Sequence, residues 1–553
     1  MGVWMLMRRR GWGALVRSVV VGAMAGLGAG GVFGQTQPVE AASLLSEQPV
    51  VEVESFDFEG NAQLSDAALM AAIDAALPGW RDRLLAMEDL ETARQAVTRA
   101  YIQAGYISSG AVIPDQSVAD GRIVMRIVEG RLTAVRVSGN QRLRDGYIST
   151  RVMPRGDEAL NLVSLRDRLE LLRQDPTISQ VNADLQPGLA PGEAVLDVSV
   201  QERSPYYLAL GFNNYRSPTI GAERLELLAA HRNLTGNGDE LSLRYAVTQG
   251  GLDELELACF DDFGVTYVLP LNADQTTLSV QFVRSDELVI EAPFNDLDIQ
   301  SRTEAFDLTL RHPVHRTPNA ELAIFATGSV RRNRTKLNGQ PFSFSPGAED
   351  GKSDITAIRF GAEWLARDAR QALALRGTVS IGVHALGSTN NSGGVADSQF
   401  ASFLGQAQYV RRLDDRDTQL LVRGAVQWSA DPLMSIEQMP IGGFQTVRGY
   451  RENAIVRDNG AVASVELRVP VMRRGDKALV TMAPFFDIGY GWNDDGAPDY
   501  PLLSSVGVGA IFTPWDNLTA SVYWGYPLND LEDRHEDPQD LGFHFGVVWT
   551  VLD

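Results

Sequence analysis

The run Ile441-Gly442-Gly443-Phe444-Gln445-Thr446-Val447-Arg448-Gly449-Tyr450 places an arginine among glycines and aromatics. Further along, Phe485-Phe486-Asp487-Ile488-Gly489 sets a single carboxylate among apolar and small neighbours. These two residue types can do one piece of chemistry together. A guanidinium can fork two N–H groups onto the two oxygens of a carboxylate. An aspartate enclosed in a narrow space invites such a partner, because an unpaired charge there is costly. In solvent, the same residues are an ordinary loop arginine and a hydrated aspartate. The R-G-Y tripeptide alone does not decide between the two, and position in the fold must.

Other chemistries start with less. The one cysteine, Cys259, can form neither an internal disulfide nor a Cys-rich zinc site. Six scattered histidines give no H-E-x-x-H spacing. There is no nucleophile motif, no supported acid pair and no phosphate loop, so neither catalysis, a cofactor nor a metal is expected. Forty-nine Lys and Arg against 70 Asp and Glu leave a net charge of −21, which argues against nucleic acid as a partner. A 44% hydrophobic and 22% charged composition excludes a disordered chain. Asp261-Asp262 and the acidic run Asp533–Asp540 read as solvated loop charges, Cys259 as a thiol without function and His544 as a residue facing the interior.

Both motifs lie in a region that alternates strand after strand. From Tyr206 onward, Leu373, Leu375, Val379, Ile381 and Val383 share one face while Arg376, Thr378 and Ser380 take the other. Leu241, Leu243 and Tyr245 alternate with Ser242 and Arg244, and Val465, Leu467 and Val469 with Ser464, Glu466 and Arg468. Near the end, Phe543, Phe545, Val547 and Trp549 share a face. Sixteen candidate strands begin near Tyr206, Arg224, Glu240, Phe263, Thr276, Thr303, Glu321, Asp354, Ala372, Ser402, Thr418, Ala461, Leu479, Ser504, Asn517 and Leu541. No segment beyond the N-terminus approaches the run of apolar residues a spanning helix needs. A soluble sandwich also alternates. An even strand count, charges on one face of many strands and an aromatic final strand fit a closed antiparallel transmembrane barrel over residues 204–553, with apolar faces to lipid and Arg244, Arg376, Glu466 and Arg468 lining the lumen. The V-R-G-Y motif then falls in the long connection between strands eleven and twelve, about Ser429 to Gly460. Asp487 falls on strand thirteen, with Phe485 and Gly489 pointing inward beside it.

The N-terminus reads as an address. Arg8-Arg9-Arg10 precedes an apolar stretch ending near Gly34, the pattern of an export signal over residues 1–34. Residues 35–50 leave room for a short linker or a reduced plug helix. Two small domains follow, over residues 51–130 and 131–203. Each begins with a strand ending in Gly-Asn, at Gly60-Asn61 and Gly139-Asn140, and continues with two helices and two strands. In the first, Ser65 can cap a helix carrying Leu69, Ile73 and Leu77, and Gly105 suits the end of a helix carrying Leu90, Ala93, Val97 and Tyr101. A small three-stranded sheet leaves an open edge, where an extended peptide can add as a further strand.

Two β-α-α-β-β domains, a sixteen-strand barrel, V-R-G-Y in its sixth outer loop and F-x-D-x-G on strand thirteen resemble the outer-membrane transporters of two-partner secretion. These are the haemolysin activation/secretion proteins of the filamentous haemagglutinin transporter type, and the resemblance covers residues 51–553. It implies that the small domains are periplasmic POTRA domains that capture the N-terminal region of one large β-helical partner protein. It implies that the barrel, inserted in the outer-membrane lipid by the barrel-assembly machinery, conducts that partner unfolded to the cell surface by type V secretion. It also implies that Val447, Arg448, Gly449 and Tyr450 lie in the pore and that Arg448 pairs with Asp487 in the Phe485, Asp487, Gly489 motif. The alternative is an assembly factor that inserts other barrels; such relatives share the loop motif but usually carry three or more periplasmic domains.

Overall fold

The structure is a computed structural model and describes residues 50–118, 120–156, 158–248, 261–391, 394–493, 502–529, 531 and 537–553. The expected export signal, nearly all of the linker, and Cys259 lie outside the described residues.

The two small domains share one hydrogen-bonding plan. In the first, strand Ser55–Glu59 pairs in parallel with Arg122–Val128, which pairs antiparallel with Gly110–Val112. Helices Asp66–Ala76 and Met87–Gln103 cover one face. They bury Leu69, Ile73, Val97 and Tyr101 against Ile123 and Met125. In the second, Arg131–Ser138 pairs in parallel with Glu193–Glu202, which pairs antiparallel with Ile178–Pro187. Helices Asp145–Val152 and Leu162–Arg173 complete it.

The repeated Gly-Asn is the signature of a helix entry. Gly60 and Gly139 stand at φ 85° and 81°. Asn61 then donates to Leu64 O and to the Asp66 carboxylate at 3.1 and 2.6 Å, and Asn140 donates to Leu143 O and Asp145 at 2.7 Å each. A carboxylate from the last strand of each sheet closes the turn. Glu129 accepts from the backbone N–H of Ala62 and Gln63, both at 2.8 Å. Glu202 accepts from Gln141, Arg142 and Leu143 at 2.8 to 2.9 Å. Helix Asp66–Ala76 is capped by Ser65, as its sequence suggests.

Beyond residue 205, sixteen long strands among the described residues close into an antiparallel barrel. Strand one, Tyr206–Asn213, pairs with strand sixteen, Phe543–Leu552, to seal the ring. The strands begin within a few residues of their expected starts, the widest difference being strand six, which starts at Ile299. Alternation sorts the faces. Leu225, Leu308, Trp364, Phe486 and Trp524 are exposed outward, whereas Ser464, Glu466, Asp487, Tyr523 and His544 are buried inward. Only a closed sheet satisfies every strand's backbone in lipid.

Because strand one leaves the second small domain directly, the turn after strand two lies at the same rim as that domain. The two touch. The Arg144 N–H donates to Gly236 O at 3.0 Å, Gln174 donates to Pro318 O at 3.2 Å, and Arg155 pairs with Asp274. Short connections such as 475–476 and 516–517 sit at this near rim. Long ones, among them 289–298, 338–351 and 430–458, sit at the far rim.

Burial of Glu202 pushes its carboxyl up, but the N–H groups of Leu143, Arg142 and Gln141 and the Arg142 guanidinium outweigh that and hold it below the usual carboxylate range. This contribution is complete above the unfolded glutamate pKa, about 4.3, and is lost as pH falls through the lower folded value. Glu202→Ala is expected to cost the second domain about 1.5–3 kcal/mol at neutral pH, the worth of hydrogen bonds to a charged group. Amide exchange of the full chain in detergent measures it: protection of Asp145–Val152 falls while the barrel strands keep theirs. Unchanged protection of that helix would remove the cap.

Candidate functional site

The connection between strand eleven, Gln419–Ser429, and strand twelve, Asn459–Arg474, folds back into the lumen. A short hairpin of Met439–Ile441 and Ile455–Arg457 forms its stem. Met439, Ile441, Val447, Tyr450 and Ile455 bury together against Leu503. The loop thus brings its own apolar core, which lets it stand in a polar lumen without support from lipid-facing residues.

All seven residues singled out in the sequence converge here. Arg448 is 1% exposed, Asp487 0% and Glu466 1%. Arg448 Nε donates to Asp487 Oδ2 at 2.7 Å, Nη2 to Oδ1 at 2.9 Å, and the Arg448 backbone N–H to Oδ2 at 3.1 Å. The remaining terminal nitrogen pairs with Glu466 on strand twelve. Nη2 also reaches Ser464 Oγ at 3.2 Å. Phe485 lies flat beneath the guanidinium, with Cζ 3.6 Å from its ring centre, and Tyr523 stands at 5.0 Å. Such a face is attractive to a cation.

Small residues make the approach possible. A Cβ on Gly489 would stand 2.6 Å from Ile441 Cγ2 and 2.8 Å from Val447 Cγ2, so the last position of F-x-D-x-G carries no side chain and admits the loop's core. Gly449, at φ 91°, presses on strand fifteen, where its Cβ would meet Gly525 C at 2.9 Å. The Tyr450 hydroxyl lies 2.9 Å from the carbonyl oxygens of both Ser504 and Asn529.

Sequence reasoning missed three partners. Glu466 reads from its strand only as a lumen-lining charge, yet it is the second carboxylate on Arg448 and also accepts from Arg468 Nε at 2.7 Å. Glu437, on the ascending arm of the loop, receives Arg359 Nη2 at 2.7 Å and Arg331 Nη1 at 3.1 Å from strands eight and seven. Arg451, next to Tyr450, pairs with Asp540 and with Glu291, the latter at 2.6 Å. The last corrects an expectation: Asp540 is not a solvated loop charge, its side chain being 4% exposed in this pair, and neither is Asp262, which lies on a barrel strand and pairs with Arg224 at 3.2 Å. The signal available was the arginine following V-R-G-Y, but carboxylates on distant loops carry no spacing that points to it. His544 does face the interior, 0% exposed and 6.3 Å from the Phe444 ring.

The guanidinium–carboxylate contacts form an electrostatic fastening. Breaking one side of a buried pair leaves an uncompensated charge, at about 3–5 kcal/mol. The loop is therefore held firmly, but by bonds that have no covalent component.

Comparison with known proteins agrees with this architecture. The family model for haemolysin secretion/activation protein ShlB/FhaC/HecB matches residues 192–512, and the model for the POTRA domain, ShlB-type, matches residues 51–130. The outer membrane transporter CdiB of Dickeya dadantii is 25% identical over 483 residues, covering 85% of this chain and 82% of the relative. The hemolysin transporter protein ShlB of Serratia marcescens is 23% identical over 404 residues, 72% of this chain and 69% of the relative. Among solved structures, CdiB from Escherichia coli superposes with a TM-score of 0.70 at 20% identity, over 93% of this chain and 92% of that one, which shows a common fold. BamA from Haemophilus ducreyi lacking POTRA domains 1–3 reaches 0.52 at 13% identity, over 91% of this chain and 100% of that one. With its small first domain and most of its barrel so matched, the chain belongs to the ShlB/FhaC/HecB family of haemolysin secretion/activation proteins, outer-membrane β-barrel transporters whose POTRA domains lie in the periplasm.

Proposed function

We propose that this chain is the dedicated pore for one large β-helical secreted protein of the haemolysin or adhesin type, with residues 1–34 as its export signal and the barrel-assembly machinery as the route of its insertion. Membership of the secretion/activation family supports transport of a large secreted partner rather than assembly of other barrels. The observation that carries the pore mechanism is a loop fastened inside a closed barrel through Arg448 on Asp487 and Glu466, with no strand pairing between the Arg448 segment and the wall. A bore blocked in this way can be reopened without breaking backbone structure. The near rim, with its two small domains, is then the periplasmic entrance. The sheet edge Ile178–Pro187, mostly exposed and paired on one side with Glu193–Glu202, offers unpaired backbone groups to an extended segment of the partner. In this reading, Val447 and Tyr450 seat the loop, Gly449 and Gly489 allow its close contact, and Phe485 backs the guanidinium.

Arg448→Ala and Asp487→Ala are each expected to reduce secretion of the partner and change the pore current, with the barrel still inserted and heat-modifiable on electrophoresis. Arg448→Lys is expected not to restore either, because a point-charge ammonium cannot serve Asp487 bidentately and Glu466 as well. Wild-type secretion and current in both alanine variants would take the fastening out of the mechanism.

Deletion of the gene in its native host, followed by comparison of surface, medium and outer-membrane proteomes, tests the transport role itself. Loss of one very large exported protein with other barrels intact is the expected result. Broad loss of barrel proteins would instead identify an assembly factor.

A further inference from the structure

The strap formed by the sixth loop is tied to the wall by charged pairs in two places. Its ascending arm is held by Glu437 on strands seven and eight, through Arg331 and Arg359. Its tip is held by Arg448 on strands twelve and thirteen. The third tie differs in kind, because Arg451 reaches other loops rather than the wall. Its guanidinium takes both oxygens of Asp540, in the connection between strands fifteen and sixteen, and Nη1 meets Glu291, in the connection between strands five and six, at 2.6 Å. The adjacent Glu452 N–H donates to Gln539 Oε1 at 2.9 Å. Gln539 in turn donates to Asn214 O and Arg216 O, each at 2.7 Å, in the connection between strands one and two. Thr219 from that same connection donates to Glu291 Oε2 at 2.9 Å. Four far-rim loops therefore meet at one node, and Arg451 is its cation.

The position of this node on the ring matters. Strand six, which follows Glu291, and strand thirteen, which carries Asp487, are seven strands apart in a ring of sixteen, so they lie almost across from one another. The strap rests on the wall from strand seven to strand fifteen, and its Phe444 ring stacks on Tyr215, just past strand one, at 4.0 Å. The far ends of strands one, two, five and six carry two of the loops that Arg451 gathers. The pairs of Arg451 with Asp540 and Glu291 share no atom with those of Arg448 on Asp487, so one set can part while the other holds.

We propose that Arg451 is a positioning residue for transport, the releasable latch that draws the loops before strands two, six and sixteen onto the strap, and that the pore opens along strands one to six when this latch parts, with the Arg448 fastening intact. The inference rests on the pore reading above, but its test needs no secreted partner.

The full-length protein, purified in detergent and placed in planar bilayers, is compared with Arg451→Ala, Asp540→Asn and Glu291→Gln. In parallel, cells carrying each variant are exposed to vancomycin, a bulky antibiotic that a sealed outer membrane excludes. Heat-modifiability confirms a folded barrel in each case. The latch predicts longer or larger open events and increased vancomycin sensitivity for Arg451→Ala and Asp540→Asn, with a smaller effect for Glu291→Gln. It also predicts that the charge reversal Arg451→Asp with Asp540→Arg returns both readouts toward wild type, which loss of general packing would not allow. Wild-type current and vancomycin exclusion in both Arg451→Ala and Asp540→Asn would overturn the proposal, as would a reversal double variant that leaks as much as the singles. If Arg451→Ala fails to fold, Asp540→Asn, which keeps size and shape, decides alone.

Discussion

A guanidinium that is 1% exposed in the interior of a membrane barrel must be neutralised where it lies, and much of the lumen is shaped by that requirement. Strand thirteen supplies Asp487 and, two residues either side, the flat face of Phe485 and the empty position at Gly489. Strand twelve supplies Ser464 and Glu466 in the register opposite. The loop must therefore be long enough to turn inward, apolar enough to carry its own core and glycine-rich enough to lie against strand fifteen. A change at any of these positions is a change in how one cation is delivered to two carboxylates.

The charges around it are graded in their attachment. Glu437 and Arg448 join the loop to strands, which the barrel's hydrogen bonds keep fixed. Arg451 joins it to other loops, whose backbones have no such lattice behind them. Similar chemistry thus gives rigid and yielding contacts, depending on the element that carries the carboxylate. Stored bistability in proteins commonly resides in such contrasts between packed elements and connections.

How much of this could be read in advance follows from the range of each interaction. Strand alternation is set by neighbours two residues apart, so the sixteen strands and the inward side of Asp487 were legible. The duplicated Gly-Asn turn was legible as a repeat, although its cause, a glutamate from the end of each sheet, lies 59 to 67 residues away and became visible only in the fold. Arg448 and Asp487 could be paired because each sits in a motif with a neighbour in the fold. Glu466 was placed on the correct face but not with its partner, since several charges share that face. Asp540 was misread because an acidic run without periodicity looks solvated, and only the meeting of four loops buries one member of it.

The second POTRA domain passes into the barrel with almost no intervening chain. Strand Glu193–Glu202 gives way to strand one at Tyr206, and the three residues between are themselves engaged: the Arg203 N–H donates to Thr177 O at 2.8 Å, and Pro205 O accepts from the Arg232 N–H at 2.7 Å. The domain also rests on three near-rim turns. Domain and barrel are thereby hydrogen-bonded to one another at their junction, joined through the very strand that closes the cylinder against strand sixteen. A pull on that domain is carried directly into the barrel's seam. In mechanical terms, the second domain is a lever whose fulcrum is the closure of the barrel.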